Sequence, residues 1–179
     1  MKDAQLAERC RALKLILSDV DGVMTDGTLL VLPDGREAKA FHVRDGMAIV
    51  MAHAVGLRTG LLSGRTSEIV EQRASELRMA VVRQGIRDKG NALREILATE
   101  ALRAEEVAYV GDDLNDLPVF AEVGLSAAPA DAAFEVRAQA FMVLSTAGGR
   151  GCLREFIEAI LRARGDFERA AAAFGAALS

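Results

Sequence analysis

Asp19 and Asp21 stand one residue apart at the end of the apolar run Leu15-Ile16-Leu17-Ser18, and Gly22 follows them. In an open parallel sheet, ligands gather just beyond the carboxyl ends of the strands. Two carboxylates placed there can divide the work. One attacks, while the other moves protons or helps to hold a hard cation. Asp-Gly is also a common turn pair, so a solvated acidic turn explains this stretch taken alone. Three further polar groups weigh against that reading. Ser63-Gly64-Arg65 follows the apolar run 57–62, Asp88-Lys89-Gly90 opens a helical pattern, and Gly111-Asp112-Asp113 with Asn115 and Asp116 follows Val107–Val110.

Taken together these residue types suit phosphoryl transfer. That reaction needs an attacking oxygen, charge neutralisation on the equatorial phosphate oxygens and a proton for the leaving oxygen. Asp19 is the candidate nucleophile. Asp21 is the candidate general acid for the leaving alkoxide and general base for the incoming water. Carboxylates repel a phosphate, so a Mg²⁺ bridge is required, with Asp19, Asp112 and the backbone carbonyl of Asp21 as its protein ligands. Ser63 Oγ and the N–H of Gly64 would hold one phosphate oxygen, and Lys89 would neutralise another.

These groups meet only if the chain builds a sheet that gathers its strand ends on one edge. The pattern predicts strands at 15–18, 57–62, 79–82, 107–110, 125–127 and 141–143. It predicts helices over 4–13, from Asp45 as N-cap to Gly56, over 66–77, over 88–99, from a cap at Asn115, from about Ala132 and over 151–164. Strands at 28–32 and 36–41 flank Pro33-Asp34-Gly35 as a hairpin. Alternation of strands and helices means an α/β fold, a Rossmann-like doubly wound parallel sheet flanked by helices, interrupted by that hairpin after the first strand. Residues 1–165 read as a single domain and residues 166–179 as an Ala-rich tail, weakly helical or disordered.

Composition removes other functions. The chain has 179 residues, 51% of them apolar, with a net charge of −4 and scattered basic residues, which gives no footprint for nucleic acid. No apolar run is long enough to span a bilayer, and the N-terminus lacks the apolar core of a signal peptide. Cys10 and Cys152 have no metal-like spacing and read as reduced thiols of a cytoplasmic protein. His42 and His53 read as a hydrogen-bonded and a surface histidine, and Met47 and Met51 as core.

Asp19-Val20-Asp21-Gly22-Val23, Ser63, Lys89 and Gly111-Asp112-Asp113-x-Asn115-Asp116 resemble, in order, the four motifs of the haloacid dehalogenase superfamily of phosphatases. Val43-Arg44-Asp45-Gly46, Leu62–Arg65, Gln84-Gly85, Asp88-Lys89 and Gly148-Gly149-x-Gly151 are similar to its capless subfamily, which acts on 3-deoxy-D-manno-octulosonate 8-phosphate. The resemblance implies a fold with no cap domain, Mg²⁺ as cofactor, a sugar phosphate as substrate and a homotetramer whose hairpin of residues 28–41 covers a neighbour's site. It implies Thr25, Gly64 and Arg65 as substrate contacts, and Asp113 and Asp116 as carboxylates that orient Lys89 or metal-bound water. On its residue type alone, Arg150 in the glycine segment reads more readily as an ordinary surface arginine than as one that reaches a neighbouring site. A run of Leu29, Leu30, Val31 and Leu32 would be a liability on an exposed edge, which also places the hairpin in an interface. A nine-carbon sialic-type acid phosphate as substrate, a non-catalytic oligomerisation module and a receiver domain are the competing readings. The last fits least, because its acceptor Asp would follow a middle strand.

Overall fold

Leu15–Ser18 (β1) is buried at all four positions, as expected of a central parallel strand covered on both faces. The computed structural model, which describes the backbone of residues 2–176 and the side chains of residues 4–173, places it third of six. The other strands of this sheet are Arg58–Leu62, Val81–Arg83, Val107–Val110, Leu125–Ala128 and Met142–Val143. With Leu30–Val31 as β2 and Glu37–Ala38 as β3, these five are β4 to β8, and the order is β5-β4-β1-β6-β7-β8 with every pairing parallel.

Side chains alternate across this sheet and divide the core in two. Ile16, Leu61, Ala108 and Val110 face one layer, while Leu15, Leu17, Leu62 and Tyr109 face the other. The first layer is built by helices Lys2–Ala12 (α1), Val43–Ala54 (α2) and Glu68–Glu76 (α3), with two at the chain's end described below. The second is built by Lys89–Thr99 (α4), Leu117–Phe120 (α5) and Phe134–Gln139 (α6). Leu93 and Ile96, three residues apart on one face of α4, are both fully buried. Among the described residues no helix is long and apolar enough to cross a membrane.

Several elements differ from the sequence expectation for physical reasons. The hairpin ladder is only Leu30↔Ala38 and Val31↔Glu37, because a ribbon of two strands outside the main sheet gains no partner beyond its turn. Leu29, Leu30 and Val31 are 51%, 57% and 61% exposed, so this run does not pack on its own domain. The second long helix starts at Val43, with His42 as N-cap, whose Nδ1 accepts the N–H of Arg44 at 3.3 Å. Asp45 is instead buried, and its Oδ1 accepts the N–H of Arg154 at 2.7 Å. It thus caps Cys152–Arg164 (α7), a helix far along the chain. Burial pushes its carboxyl up to about 6.

His53 is half-buried rather than on the surface, with Nε2 at 2.8 Å from Thr59 Oγ1. Met51 is buried but Met47 only half so. The Ala-rich segment forms Phe167–Ala176 (α8), which packs on α2 and α7 and sinks Ala170 fully into the first core layer. Residues 177–179 of the tail lie outside the described residues.

Candidate active site

Three of the four predicted groups, those after β1, β4 and β6, line one cavity, and Lys89 of the fourth reaches Asp19 from behind it. Asp19 continues the β1 ladder, donating its N–H to Val110 O at 2.9 Å, and its carboxylate is buried. The chain then turns through Gly22 at φ +91°, where a Cβ would fall 2.0 Å from Asp112 Oδ2. Only glycine lets the carboxylate that follows β6 press this closely on the turn that follows β1. Behind the turn lies the glycine segment 148–151. Gly149 donates its N–H to Val23 O at 2.9 Å, and a Cβ on Gly148 would lie 2.0 Å from Gly22 O. The Gly148-Gly149 pair therefore allows close packing behind the loop that carries Asp21.

Ser63 follows β4, buried, and its Oγ accepts the N–H of Arg65 at 3.3 Å. Its own hydroxyl hydrogen is left to donate. Lys89 is the first residue of α4, capped by Asp88, whose Oδ1 accepts the N–H of Asn91 at 2.9 Å. Its side chain is fully buried, with Nζ 2.9 Å from Asp19 Oδ2, 2.6 Å from Asp116 Oδ1 and 3.3 Å from Tyr109 Oη. Asp116 Oδ2 accepts the N–H groups of Asp112 and Asp113 at 2.9 and 3.2 Å. Asp116 thus commits both oxygens to holding Lys89 and the turn after β6.

A cavity of about 190 Å³ opens between these elements. Asp19, Asp21, Asp112 and Asp113 supply its acidic wall; Ser63, Gly64, Arg65 and Asn115 supply the rest. Lys89 and Asp116 sit behind Asp19 rather than on the wall. Thr25 is also off the wall. Its buried Oγ1 lies 3.3 Å from Asp21 Oδ1 and 3.4 Å from Val20 O. Asn115, expected as a helix cap, caps nothing. Asp113 Oδ1 accepts the N–H of Leu114 at 2.7 Å in that role, and Asp116 stands at the start of α5. Arg150 is exposed, with its guanidinium 3.8 Å from Asp26 Oδ2.

Asp19, Asp112 and Asp116 offer oxygens within 4.8 Å of one another. Since Asp116 is already saturated, the open positions belong to Asp19 and Asp112. Asp112 Oδ1 is buried without any hydrogen-bond partner. Such an orphaned carboxylate oxygen is what a cation site looks like from the protein side. The Asp21 carboxylate is not part of this cluster, and its Oδ1 is engaged by Lys39 and lies 3.3 Å from the Thr25 hydroxyl. Burial, then the charges of Asp19 and Asp116, push the Asp112 carboxyl up to about 8. Burial also pushes Asp19 up to about 6 against the opposing pull of Lys89. Burial alone would lower the Lys89 ammonium, but Asp19 and Asp116 outweigh it and hold it above its ordinary value.

Sequence reasoning missed Lys39, which forms an ion pair with Asp21 Oδ1, and Glu37, which pairs with Arg65. Both lie on the hairpin, among residues whose types gave no sign of facing the site. Tyr109, buried in β6 with its hydroxyl on Asp116 and Lys89, was legible only as an apolar strand residue.

Comparison with known proteins agrees with this geometry. Residues 66–155 match the haloacid dehalogenase-like hydrolase family. The chain is 42% identical over 163 residues to the 3-deoxy-D-manno-octulosonate 8-phosphate phosphatase of Yersinia pestis, covering 91% of this chain and 87% of that one. It is 39% identical over 160 residues to the Haemophilus influenzae enzyme of the same name, covering 89% of each. The crystal structure of the Moraxella catarrhalis phosphatase of that name, in complex with magnesium, phosphate and KDO, matches with a TM-score of 0.91 at 32% identity, over 94% of this chain and 97% of that one. The strand order, the motif-bearing strand ends and these matches agree: the chain belongs to the haloacid dehalogenase-like hydrolases.

Proposed function

We propose that this protein is a Mg²⁺-dependent phosphomonoesterase that hydrolyses 3-deoxy-D-manno-octulosonate 8-phosphate to the free sugar acid and phosphate. The observation that carries the chemistry is the meeting of Asp19, Asp21, Ser63 and Asp112 around one cavity with Lys89 directly behind. The substrate is supported by the relatives of that name at 39–42% identity over most of the chain.

Asp19 attacks phosphorus, forming an acyl phosphate while the ester P–O bond breaks. Asp21 gives its proton to the departing sugar alkoxide. It then takes a proton from the water that attacks the acyl phosphate and returns Asp19. Ser63 Oγ and the Gly64 N–H hold one phosphate oxygen, and Lys89 balances the charge of Asp19 throughout. The carboxylates of Asp19 and Asp112 and the carbonyl of Asp21 would hold Mg²⁺, which when bound supplies neutralisation of the phosphate charge beside these acids. The orphaned Asp112 Oδ1 fits that ion. The exposed apolar hairpin run Leu29–Val31 supports assembly into a homotetramer. The buried free thiols Cys10 and Cys152 fit a reducing compartment such as the cytoplasm.

Phosphate release from the eight-carbon and a nine-carbon sugar acid phosphate, each with Mg²⁺ and with EDTA, is the test. We expect faster release from the eight-carbon ester and none with EDTA. Preference for the nine-carbon ester would overturn the substrate, and metal-independent release the ion.

A second expectation concerns stability without metal. Asp19 and Asp112 titrate higher folded than unfolded, where a carboxyl sits near about 4. Their protons therefore favour the folded state at low pH. That contribution fades as pH rises toward about 6 for Asp19 and about 8 for Asp112. The melting temperature of the metal-free protein should fall across this window, and Mg²⁺ should raise it more at pH 8 than at pH 5, because the ion needs both carboxylates ionised. A Mg²⁺ effect independent of pH, read by thermal unfolding, would contradict this assignment.

A further inference from the structure

We infer that Lys39 is a positioning residue, which fixes the acid–base carboxylate of Asp21 by an ion pair delivered from the hairpin. The inference rests on the role proposed above for Asp21.

The Lys39 side chain is 2% exposed and that of Asp21 20%. The ammonium grips Asp21 Oδ1, and the Thr25 hydroxyl lies 3.3 Å from the same oxygen. Among the described residues Oδ2 takes no hydrogen bond, and it lies 3.8 Å from Nε of Arg65, a residue of the cavity wall. Asp21 lines the cavity and Lys39 does not. One carboxylate oxygen is thus anchored from behind while the other is presented to whatever occupies the site.

Stability alone gives little reason for a lysine here. Taking an ammonium and a carboxylate out of water costs about as much as their attraction returns, whereas such pairs can set a unique orientation. Orientation is what a group that gives and takes a proton at fixed points requires. The hairpin makes a second contact of the same kind. Glu37, two residues before Lys39 and so on the same side of the ribbon, pairs with Arg65, itself on the cavity wall. Opposite charges from one ribbon therefore hold the acid–base carboxylate and the arginine beside it.

The test is steady-state hydrolysis of 3-deoxy-D-manno-octulosonate 8-phosphate with Mg²⁺ by the wild type, Lys39→Met, Lys39→Arg, Asp21→Asn and the Asp21→Asn/Lys39→Met double variant. Lys39→Met should lower kcat about 10- to 100-fold, the cost of a misplaced reacting group, with KM nearly unchanged. Lys39→Arg should recover part of that loss. In the Asp21→Asn background, removing Lys39 should change kcat by less than about twofold, because its effect passes through Asp21. Full activity in Lys39→Met, a rise in KM alone, or an equal kcat loss in both backgrounds would each overturn the inference. If Lys39→Met does not fold, Lys39→Gln carries the same comparisons. A wild type that releases no phosphate overturns the phosphatase reading and this inference with it; an active wild type with a silent Lys39 overturns the inference alone.

Discussion

Asparagine in place of Asp19 is expected to lower phosphate release on the order of 10⁴-fold or more, the scale on which loss of a nucleophile is felt. The amide has the size of the carboxylate but will not form the acyl phosphate. The substitution is otherwise mild. The carboxamide oxygen would still accept the Val20 N–H that now lies 2.6 Å from Asp19 Oδ1, and Lys89 would keep Asp116. One of three crowded negative charges disappears, so the Asp112 carboxyl, pushed up to about 8 partly by Asp19, should titrate lower. The variant should therefore fold as well as the wild type and keep its oligomeric state while losing turnover. The environment of Asp19 suits attack. A carboxyl raised to about 6 is still ionised at neutral pH, yet is more basic than an ordinary aspartate. Phosphate release, urea unfolding and gel filtration on the same preparation separate the outcomes. Turnover surviving in Asp19→Asn would exclude covalent catalysis at this residue, and a wild type without turnover would favour a purely structural module.

Much of this arrangement was readable in the chain, and the reason is local. Leu15–Ser18, Leu61-Leu62 and Val107–Val110 are apolar runs followed directly by polar residues, and a parallel sheet brings such ends together without further information. Lys89 was readable for a similar reason, standing at the start of a helix whose apolar spacing is plain. What escaped depends on contacts between segments far apart. Lys39 reaches Asp21 only because the hairpin folds back over the turn after β1, and nothing between Arg36 and Phe41 records that fold. Asp45 resembled a cap for its own helix; its carboxylate serves Arg154 instead, 109 residues away. Thr25 has the position of a substrate contact in the motif, but its hydroxyl is buried against Asp21 and Val20. The Ala-rich end carries too little apolar periodicity to announce that Ala170 sinks into the core, since alanine fits both a helix and a solvated tail. Charges on loops, small residues and distant caps are where one-dimensional reading stops.

Lys89→Met tests the other half of the site, and its effect should fall on stability as well as rate. The ammonium lies between Asp19 and Asp116 with no exposed surface, and Asp116 is equally buried. Removing one partner of a buried ion pair leaves the other charge uncompensated, at a cost of about 3–5 kcal/mol. Against a typical total of about 5–15 kcal/mol, this is roughly a fifth or more of what holds a domain together. Here two carboxylates are orphaned, so they should take up protons instead. Their folded pKa values rise, and the deficit relative to wild type should be largest near pH 8 and shrink as pH falls toward 4. Adding Asp116→Asn should return part of the loss, because one stranded charge is removed while a carboxamide oxygen can still accept the N–H groups of Asp112 and Asp113. Turnover should not return with it, since no ammonium would then stand behind Asp19 to balance its charge. Urea unfolding of both variants at pH 5 and pH 8 decides the matter. If Lys89→Met is as stable as the wild type at pH 8, this lysine is not what allows Asp19 and Asp116 to lie buried on either side of it.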